Sequence, residues 1–505
     1  MNKILTSKNE LKKQIFKLKK KNKKIVLVHG VFDIFHLGHL YYFEEAKTFG
    51  DILVVSVTTD QFVSKGLNKP YFNEKDRLLF LSHFSIVDYV YCNDAKDSSF
   101  LIKSIRPNFY VKGPDYSTKK GDEAGNLKKE MAALKKVGGK FIITSGRQFS
   151  STKIINEKLN IANFQNNEWI KKIKSDSIKK NYLNNFHEVI NKTKKQNILI
   201  IGEIIFDEYN YVNPLGQPSK ENILSVSFNK KETFFGGTLP VVKNIAQICN
   251  NITFISIYND KSIISKINKY FSGAKIKLKL FMQSKYEDII KKRYLNSKTF
   301  SKIFEVYKFK NIDFYDEKLV SYLEKNIKKF DQVIVCDFGH GLINNKIANI
   351  LSSKSKFISA NIQTNSGNRG YNLFMKYPKL DFLCLDEPEV RLGMRDKSSQ
   401  LNKIITSLTK SKYKKIMITR GVEGLNYKSN SRIIHIPALT VNIKDTLGAG
   451  DAAFSFASCF VRNTKNDKLI SLISAIAGAL KVGIVGHSLH VNLDDVYKTL
   501  RSILK

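Results

Sequence analysis

Cysteine is scarce in this chain, acidic residues are outnumbered, and long apolar runs do not occur. Each shortage removes a class of protein. The five cysteines, Cys92, Cys249, Cys336, Cys384 and Cys459, stand far apart with no C-x-x-C pair, which excludes the usual zinc and dithiol redox centres. They are expected as buried reduced thiols of a cytoplasmic protein. No apolar run approaches the roughly 20 residues that span a bilayer, and the opening MNKILTSKNELKKQ lacks the hydrophobic segment of a signal peptide. A membrane span is therefore not expected. Against 45 acidic residues stand 84 Lys and Arg, a net charge of +39, which would favour polyanions. The lysines are scattered among many Asn and Ile along the whole chain, a bias of residue usage and not one basic patch, so no nucleic-acid partner is expected. The densest run, FKLKKKNKK from Phe16 to Lys24, has no aromatic interleaved to stack bases and reads as a solvated lead-in to the first strand.

What is present is a rhythm. KIVLV, DILVVSV, FYVKG and KFIIT, then NILIIGE, ITFISI, QVIVCDFG, FISAN, DFLCLD and KIMITRG are short apolar runs, each followed by loop and helical pattern. This predicts α/β architecture with parallel sheets covered on both faces. A length of 505 residues favours more than one domain. The stretch from Asn163 to Gln196 breaks the rhythm: it is polar, lysine-rich and helical in period, with Trp169, Ile170, Ile173, Phe186, Val189 and Ile190 as stripe positions. The predicted organisation is one domain over 1–160, a helical connection over 161–195 whose later part packs on the next domain, and a second domain over 196–505.

The first cluster of chemistry is VHGVFDIFHLGHLYYF, Val28 to Phe43. KIVLV is a strand, and LGHLYYFEEAKTFG has the apolar spacing of a helix ending near Gly50. His36 and His39 therefore open a helix, where free N–H groups and the dipole favour an anion. Gly30 and Gly38 let the backbone approach it, and paired imidazoles can stabilise charge on a phosphorus under attack. GVFDIFHLGH resembles the H-x-G-H motif of the cytidylyltransferase-like nucleotidyltransferases, a Rossmann-like family, and further matches follow in order: KPYFNEKDR, FYVKGPDY and FSSTKII. The resemblance implies His36 and His39 as catalytic, with Gly30, Phe32, Gly38, Lys112, Ser150, Ser151 and Thr152 at the nucleotide. It gives Arg77 and Asp115 to the substrate. Where some relatives carry R-T-E-G this chain has SGRQ, with Arg147 displaced, which leaves adenine and cytosine both open. Class I aminoacyl-tRNA synthetases share H-x-G-H, but no K-M-S-K-S loop follows here.

The second cluster is DTLGAGDAAF, Asp445 to Phe454. Gly448, Ala449 and Gly450 can present consecutive amides to a phosphate at a helix start. Asp451 beside them can take the proton of a hydroxyl attacking the terminal phosphoryl group of ATP. The motif resembles the second signature of the ribokinase-like, or PfkB, sugar kinases, and the resemblance runs from about residue 195 to the C-terminus. In LIIGEIIFDEY, Glu203 stands where an aspartate is usual and Asp207 is kept. FFGGTLPVVKNIA retains Gly236, Gly237 and Asn244 but has Pro240 for a usual asparagine. The resemblance implies Asp207, Gly236, Gly237 and Asn244 at the sugar, and Asp386 and Glu389 of CLDEPEV at Mg2+, which prefers oxygen ligands. It places Thr419, Gly421 and Gly424 of ITRGVEG near ATP.

Together the two halves resemble the family of bifunctional heptose-phosphate kinase and heptose 1-phosphate adenylyltransferases, with the order of domains reversed. This implies phosphorylation of a sugar or sugar phosphate, then its condensation with ATP or CTP and release of pyrophosphate. The alternative reading is a working transferase beside a degenerate kinase domain that binds sugar or nucleotide to regulate or scaffold. The partners expected are a sugar phosphate and a nucleoside triphosphate; a homodimer is allowed but not required.

Overall fold

A computed structural model of the chain describes residues 3–63, 70–117, 126–145, 167–216, 221–310, 316–429, 432–439 and 443–504. It divides into two units, Met1–Asn163 and Phe164–Lys505.

The first unit runs β1 Ile4–Leu5, α1 Lys8–Lys20, β2 Ile25–Gly30, α2 Leu37–Thr48, β3 Ile52–Thr58, α3 Glu74–Ser82, β4 Tyr89–Asn93, α4 Ser99–Ile105, β5 Phe109–Lys112, α5 Leu127–Lys136 and β6 Lys140–Ile143. Its strands are all parallel, in the order β1-β4-β3-β2-β5-β6. Val26 and Val28 pack in one apolar cluster with Phe43, Val55 and Leu81, while Ile25 and Leu27 pack in another with Leu11, Ile15, Leu101 and Leu134. Alternate side chains thus serve helices on opposite faces, which is why these strands are apolar throughout. From β2 the chain goes to β3 on one side and later to β5 on the other. The carboxyl end of β2 is therefore a topological switch point, where α/β sheets open a ligand crevice. The apolar-run reading did not include β1 or β4; β4, YVYCN, carries polar positions.

The second unit opens with α6 Asn167–Lys180 and α7 Tyr182–Lys194. Phe186 of α7 packs against Phe460, ring centroids 5.4 Å apart. There follow β7 Asn197–Gly202, β8 Ile204–Gly216, β9 Ser225–Gly237, α8 Thr238–Ile245, β10 Asn251–Tyr258, α9 Ser262–Tyr270, β11 Ile276–Met282, β12 Ile289–Asn296, β13 Lys302–Lys308 and α10 Glu317–Asn326. Next come β14 Gln332–Asp337, α11 Asn345–Lys354, β15 Ile358–Ile362, β16 Leu380–Asp386, α12 Glu387–Met394, α13 Leu401–Ser411, β17 Tyr413–Thr419, β18 Leu425–Lys428 and β19 Ile434–Ile436. The unit closes with α14 Ala449–Asn463, α15 Asp467–Lys481 and α16 Leu493–Leu504.

Its main sheet has the order β11-β10-β7-β14-β15-β16-β17-β18-β19, and its switch point lies between β7 and β14. It is parallel except at β17/β18/β19. A second sheet, β13-β12-β8-β9, contains antiparallel pairs. The expected α/β class with mainly parallel sheets holds, and this smaller sheet adds the antiparallel pairs. Its strand β12 buries only every other residue, so it does not read as an apolar run. Among the described residues the five cysteines are unpaired, four of them buried and Cys92 half-buried. Among the described residues no helix is long and apolar enough to cross a membrane.

Candidate active sites

In the first unit, β2 ends at Gly30 and α2 begins at Leu37 with His36 as its N-cap. The rings of His36 and His39 stack, centroids 4.0 Å apart. His39 is held from behind by Phe35, stacked at 5.2 Å, and Phe32, edge-on at 5.6 Å. His39 Nδ1 faces the His36 amide at 3.4 Å. That contact makes Nδ1 the acceptor, so the neutral ring carries its proton on Nε2. The two imidazoles thus share the first turn of a helix at the switch point, with Gly38 between them.

Other residues expected here have internal tasks. Phe32, assigned to the nucleotide by the resemblance, is buried in the apolar cluster beneath the histidines at φ 50°. An added Cβ on Gly30 would lie 3.0 Å from the Phe32 ring, so that glycine serves local packing. The Arg77 side chain is fully buried and donates to the carbonyls of Phe72, Val31 and Thr58 and to Asp60 Oδ1. It clamps the β2–α2 loop to the end of β3. Lys112 is likewise buried, 3.4 Å from Glu130 and donating to the His29 carbonyl at 3.3 Å. Glu130 in turn accepts from Ser98 and Tyr110. The Lys112 ammonium therefore points into the fold and not to an open phosphate site. Burial first, then the Lys112 charge, push the His29 ring down to about 4, so it is neutral. Asp115 lies on the turn Pro114–Ser117 after β5. Ser150, Ser151 and Thr152 lie outside the described residues. Asp33, not singled out in the sequence, accepts from the amides of Tyr71 and Phe72 at 2.7 and 2.9 Å and ties the KPYF segment to the histidine loop.

In the second unit, Gly448 at φ 75° is the N-cap of α14. The Ala449 amide donates to the Thr446 carbonyl at 3.3 Å, which takes it out of the expected cradle. The amides of Gly450 and Asp451 are left in the helix's first turn, and nothing within 4 Å would obstruct a Cβ on Gly450. Asp451 is buried, and Gln363 donates to its Oδ1 at 2.7 Å. Burial pushes its carboxyl up to about 6, with the Asp207 charge adding and Gln363, Lys291 and Lys481 opposing. A narrow cleft brings Asp451 together with Asn244, Gly448, Lys481, His487, His490 and Pro240. In it, Asn244 Oδ1 and His487 Nδ1 are buried without a hydrogen-bond partner. Burial pushes His487 down to about 4, so its 3.7 Å approach to Asp207 is a contact of a neutral ring at pH 7.

Asp207 is buried in a pair with Arg293 of β12, a partner the sequence reading missed. A Cβ on Gly236 would lie 2.0 Å from Asp207 Oδ2, and one on Gly237 2.6 Å from the Glu203 carbonyl. The glycines let β9 close over the Asp207 carboxylate and the Glu203 backbone. Glu203 is fully buried and accepts the amides of Phe338 and His340, both at 3.1 Å. It fixes the loop after β14 instead of lining a sugar pocket. Burial acts to raise Asp445, but hydrogen bonds from Tyr209 and the Gly486 amide, with the Lys302 charge, bring it down to about 2. Asp445 thereby joins the second sheet to the loop before α14.

Asp386 and Glu389 form the capping box of α12: each carboxylate accepts the other's amide, at 2.7 and 2.8 Å, and Glu389 also accepts from Thr364 at 3.0 Å. Burial holds both carboxyls above their ordinary range, with the Glu387 charge adding at Asp386 and the Asp386 charge adding at Glu389. Among the described residues no group of three or more His, Cys, Asp or Glu is placed to hold a metal ion. The pair fits a hard cation only in part: it is a buried acidic pair that a cation would relieve, with Asp386 Oδ2 as the oxygen outside the capping network. Thr419 is the register partner of Asp386 across β16 and β17. Gly421 is open to solvent contact, whereas a Cβ on Gly424 would lie 2.0 Å from the Ile436 carbonyl, so Gly424 serves the β18–β19 hairpin. Neither Thr419 nor these glycines line the Asp451 cleft.

Residues 27–158 match the cytidylyltransferase-like family. Among curated proteins, the bifunctional protein HldE of Aliarcobacter butzleri is 40% identical over 134 residues, 26% of this chain and 28% of the relative. HldE of Helicobacter pylori strain J99 is 40% identical over 111 residues, 22% and 24% respectively. The chain thus spans about a quarter of the length of the curated relatives it matches. Ribokinase from Thermotoga maritima superposes with a TM-score of 0.50 at 14% identity, over 61% of this chain and 99% of that one, a likeness of fold. Residues 195–482, more than half of the chain, match the model of the pfkB carbohydrate kinases, and the chain belongs to that family.

Proposed function

We propose that the chain is a bifunctional transferase of nucleotide-sugar synthesis. The second unit phosphorylates a sugar or sugar phosphate, heptose-like, with ATP. The first unit joins a sugar 1-phosphate to a nucleotide and releases pyrophosphate. The observation that carries the kinase reading is Asp451: a buried carboxylate poised at about 6, hydrogen-bonded to Gln363 and set beside helix-start amides in a cleft with unsatisfied polar atoms. It takes the proton of the attacking hydroxyl, while the Gly450 and Asp451 amides receive the transferred phosphoryl group. The stacked His36 and His39 support the transferase reading; their N–H groups stabilise charge on the α-phosphorus. Mg2+ would arrive with the nucleotide, neutralising phosphate charge, and Asp386 and Glu389 are the residues that would orient it.

The second reading, a degenerate kinase domain, rests on Pro240, buried in the cleft where an asparagine is usual. The geometry around Asp451 favours activity. Incubating the protein with sugar monophosphates and each of ATP and CTP, with products identified by mass and ADP release followed, tests both halves. A nucleotide sugar and sugar-dependent ADP are the expected products; absence of ADP with every sugar would favour the degenerate reading.

A further inference from the structure

The two faces of the first unit's sheet are covered by helices of opposite electrostatic character. On one face lie α2 and α3, which pack through Phe43, Ala46 and Leu81. Their sequences, LGHLYYFEEAKT and EKDRLLFLS, carry three cations against four acids. On the other lie α1, α4 and α5, which pack through Ile15, Ile102 and Leu134, with α4 between the other two. Their sequences, KNELKKQIFKLKK, SFLIKSI and LKKEMAALKK, carry eleven lysines against two glutamates. Of those two, Glu130 is buried and Glu10 accepts from Thr6 at the N-terminal end of α1. Uniform lysine usage would make both faces basic. The fold instead sorts the charge on to one.

The outward stripes of the three helices share a pattern. On α1, Lys13, Phe16, Lys17 and Lys20 stand at the i, i+3, i+4, i+7 spacing of a single helix face, opposite the buried Leu11 and Ile15. On α5, Lys128, Met131 and Lys135 repeat that face, and on α4 Phe100 precedes Lys103 by one turn. Phe16 and Phe100 are each 60% exposed and Met131 43%. Large apolar side chains that project from a field of lysines fit the headgroup boundary of an anionic bilayer: the rings and the thioether enter the interface, and the ammonium groups on their long stems meet lipid phosphates. A polynucleotide fits less well. The three helices contain no arginine to fork on to phosphate. Each ring also already carries an ammonium on one face, Lys8 over Phe100 at 3.6 Å and Lys20 over Phe16 at 4.9 Å, where a base would stack. A second copy would set lysine against lysine.

We propose that the outward face of α1, α4 and α5 docks the chain on the surface of an anionic phospholipid membrane, as a peripheral contact and not a span. The helix α2, with His36 and His39 at its start, lies on the opposite face of the sheet, so docking does not cover that site. The inference is independent of both catalytic readings.

Cosedimentation of the full chain with vesicles tests it, using phosphatidylcholine alone and phosphatidylcholine with about one-third phosphatidylglycerol. The chain should bind the anionic vesicles at least about 10-fold more tightly than the neutral ones, and salt raised from about 0.05 to 0.5 M should release it. Lys17→Glu with Lys135→Glu should weaken binding to anionic vesicles about 10-fold or more. Phe16→Ser with Phe100→Ser, which leaves the charge unchanged, should weaken it about 5-fold or more. Lys318→Glu with Lys325→Glu, on α10 of the second unit, alters the net charge as much as the first pair and should leave binding within about twofold. All six side chains are exposed, so each variant should keep the melting temperature of the unaltered chain. Equal loss in the α10 pair would overturn the proposal by making binding a matter of net charge alone. So would equal binding to neutral vesicles, no binding to either kind, or an unaltered affinity in Lys17→Glu with Lys135→Glu. Tighter binding to a duplex oligonucleotide, abolished by that same pair, would give the face to a polynucleotide and overturn it as well. The vesicle and salt comparisons on the unaltered chain decide the matter even where a variant does not fold.

Discussion

Asp451 does at the scale of one residue what a general base at neutral pH requires. An ordinary carboxylate is a weak base, and burial lifts this one to about 6, closer to the working pH. The proton is accepted only by the ionised form, so kcat for sugar-dependent ADP formation should rise with pH through about 6 and level off above it. Asp451→Asn should lower kcat by roughly 10²–10⁴ with the melting temperature nearly unchanged; turnover at the unaltered rate would refute the assignment. Arg77 makes the opposite case. Its buried guanidinium is engaged by three carbonyls and Asp60, so Arg77→Ala should cost on the order of 3 kcal/mol of stability. Denaturant unfolding should show that loss, whereas an intact midpoint with a raised KM would restore Arg77 to the substrate. The place of Asp451 in the first turn of α14 was legible because it depends on near neighbours in sequence. The inward turn of the Arg77 guanidinium was not, because a motif names a residue without saying where its side chain points.

At the scale of elements, the two candidate sites are built alike, each from the carboxyl end of parallel strands and the first turn of a helix, α2 in one and α14 in the other. What distinguishes the kinase cleft is the second sheet. Its strands β8 and β9 approach closely only because Gly236 has no side chain: an added Cβ would meet Asp207 Oδ2 at 2.0 Å. Gly236→Ala should therefore displace Asp207 from Arg293 and cost roughly 1–3 kcal/mol of stability. It should also lower kinase kcat/KM about 100-fold, an expectation that steady-state kinetics checks. The helix starts were legible, since glycines and capping residues act within a few positions. The second sheet was not, because a strand wet on one face has no apolar run, and in a lysine-rich chain Lys291 and Arg293 look like surface residues. Only their burial opposite Asp207 marks them out. Lys481, His487 and Gln363 escaped notice for the same reason: they reach Asp451 from three separate elements.

At the scale of the whole molecule, the chain joins a unit matching cytidylyltransferase-like proteins to one of the pfkB family. Each has its own sheet and switch point, so the chemistry of one should survive damage to the other. His39→Ala should reduce pyrophosphate release about 10³-fold while sugar-dependent ADP formation continues at the unaltered rate. Loss of both in a folded variant would refute separate sites. The sequence by itself determined the α/β class, the strands buried on both faces, and the two helix starts that gather H-x-G-H and G-A-G-D, because each depends on periodicity or on neighbours within one turn. Tertiary structure alone decided which polar residues face a cleft and which face the fold. It turned Arg77, Lys112, Phe32 and Glu203 inward and set Gln363, Lys481 and His487 beside Asp451. Burial and pairing arise between segments far apart in the chain, and no local pattern records them.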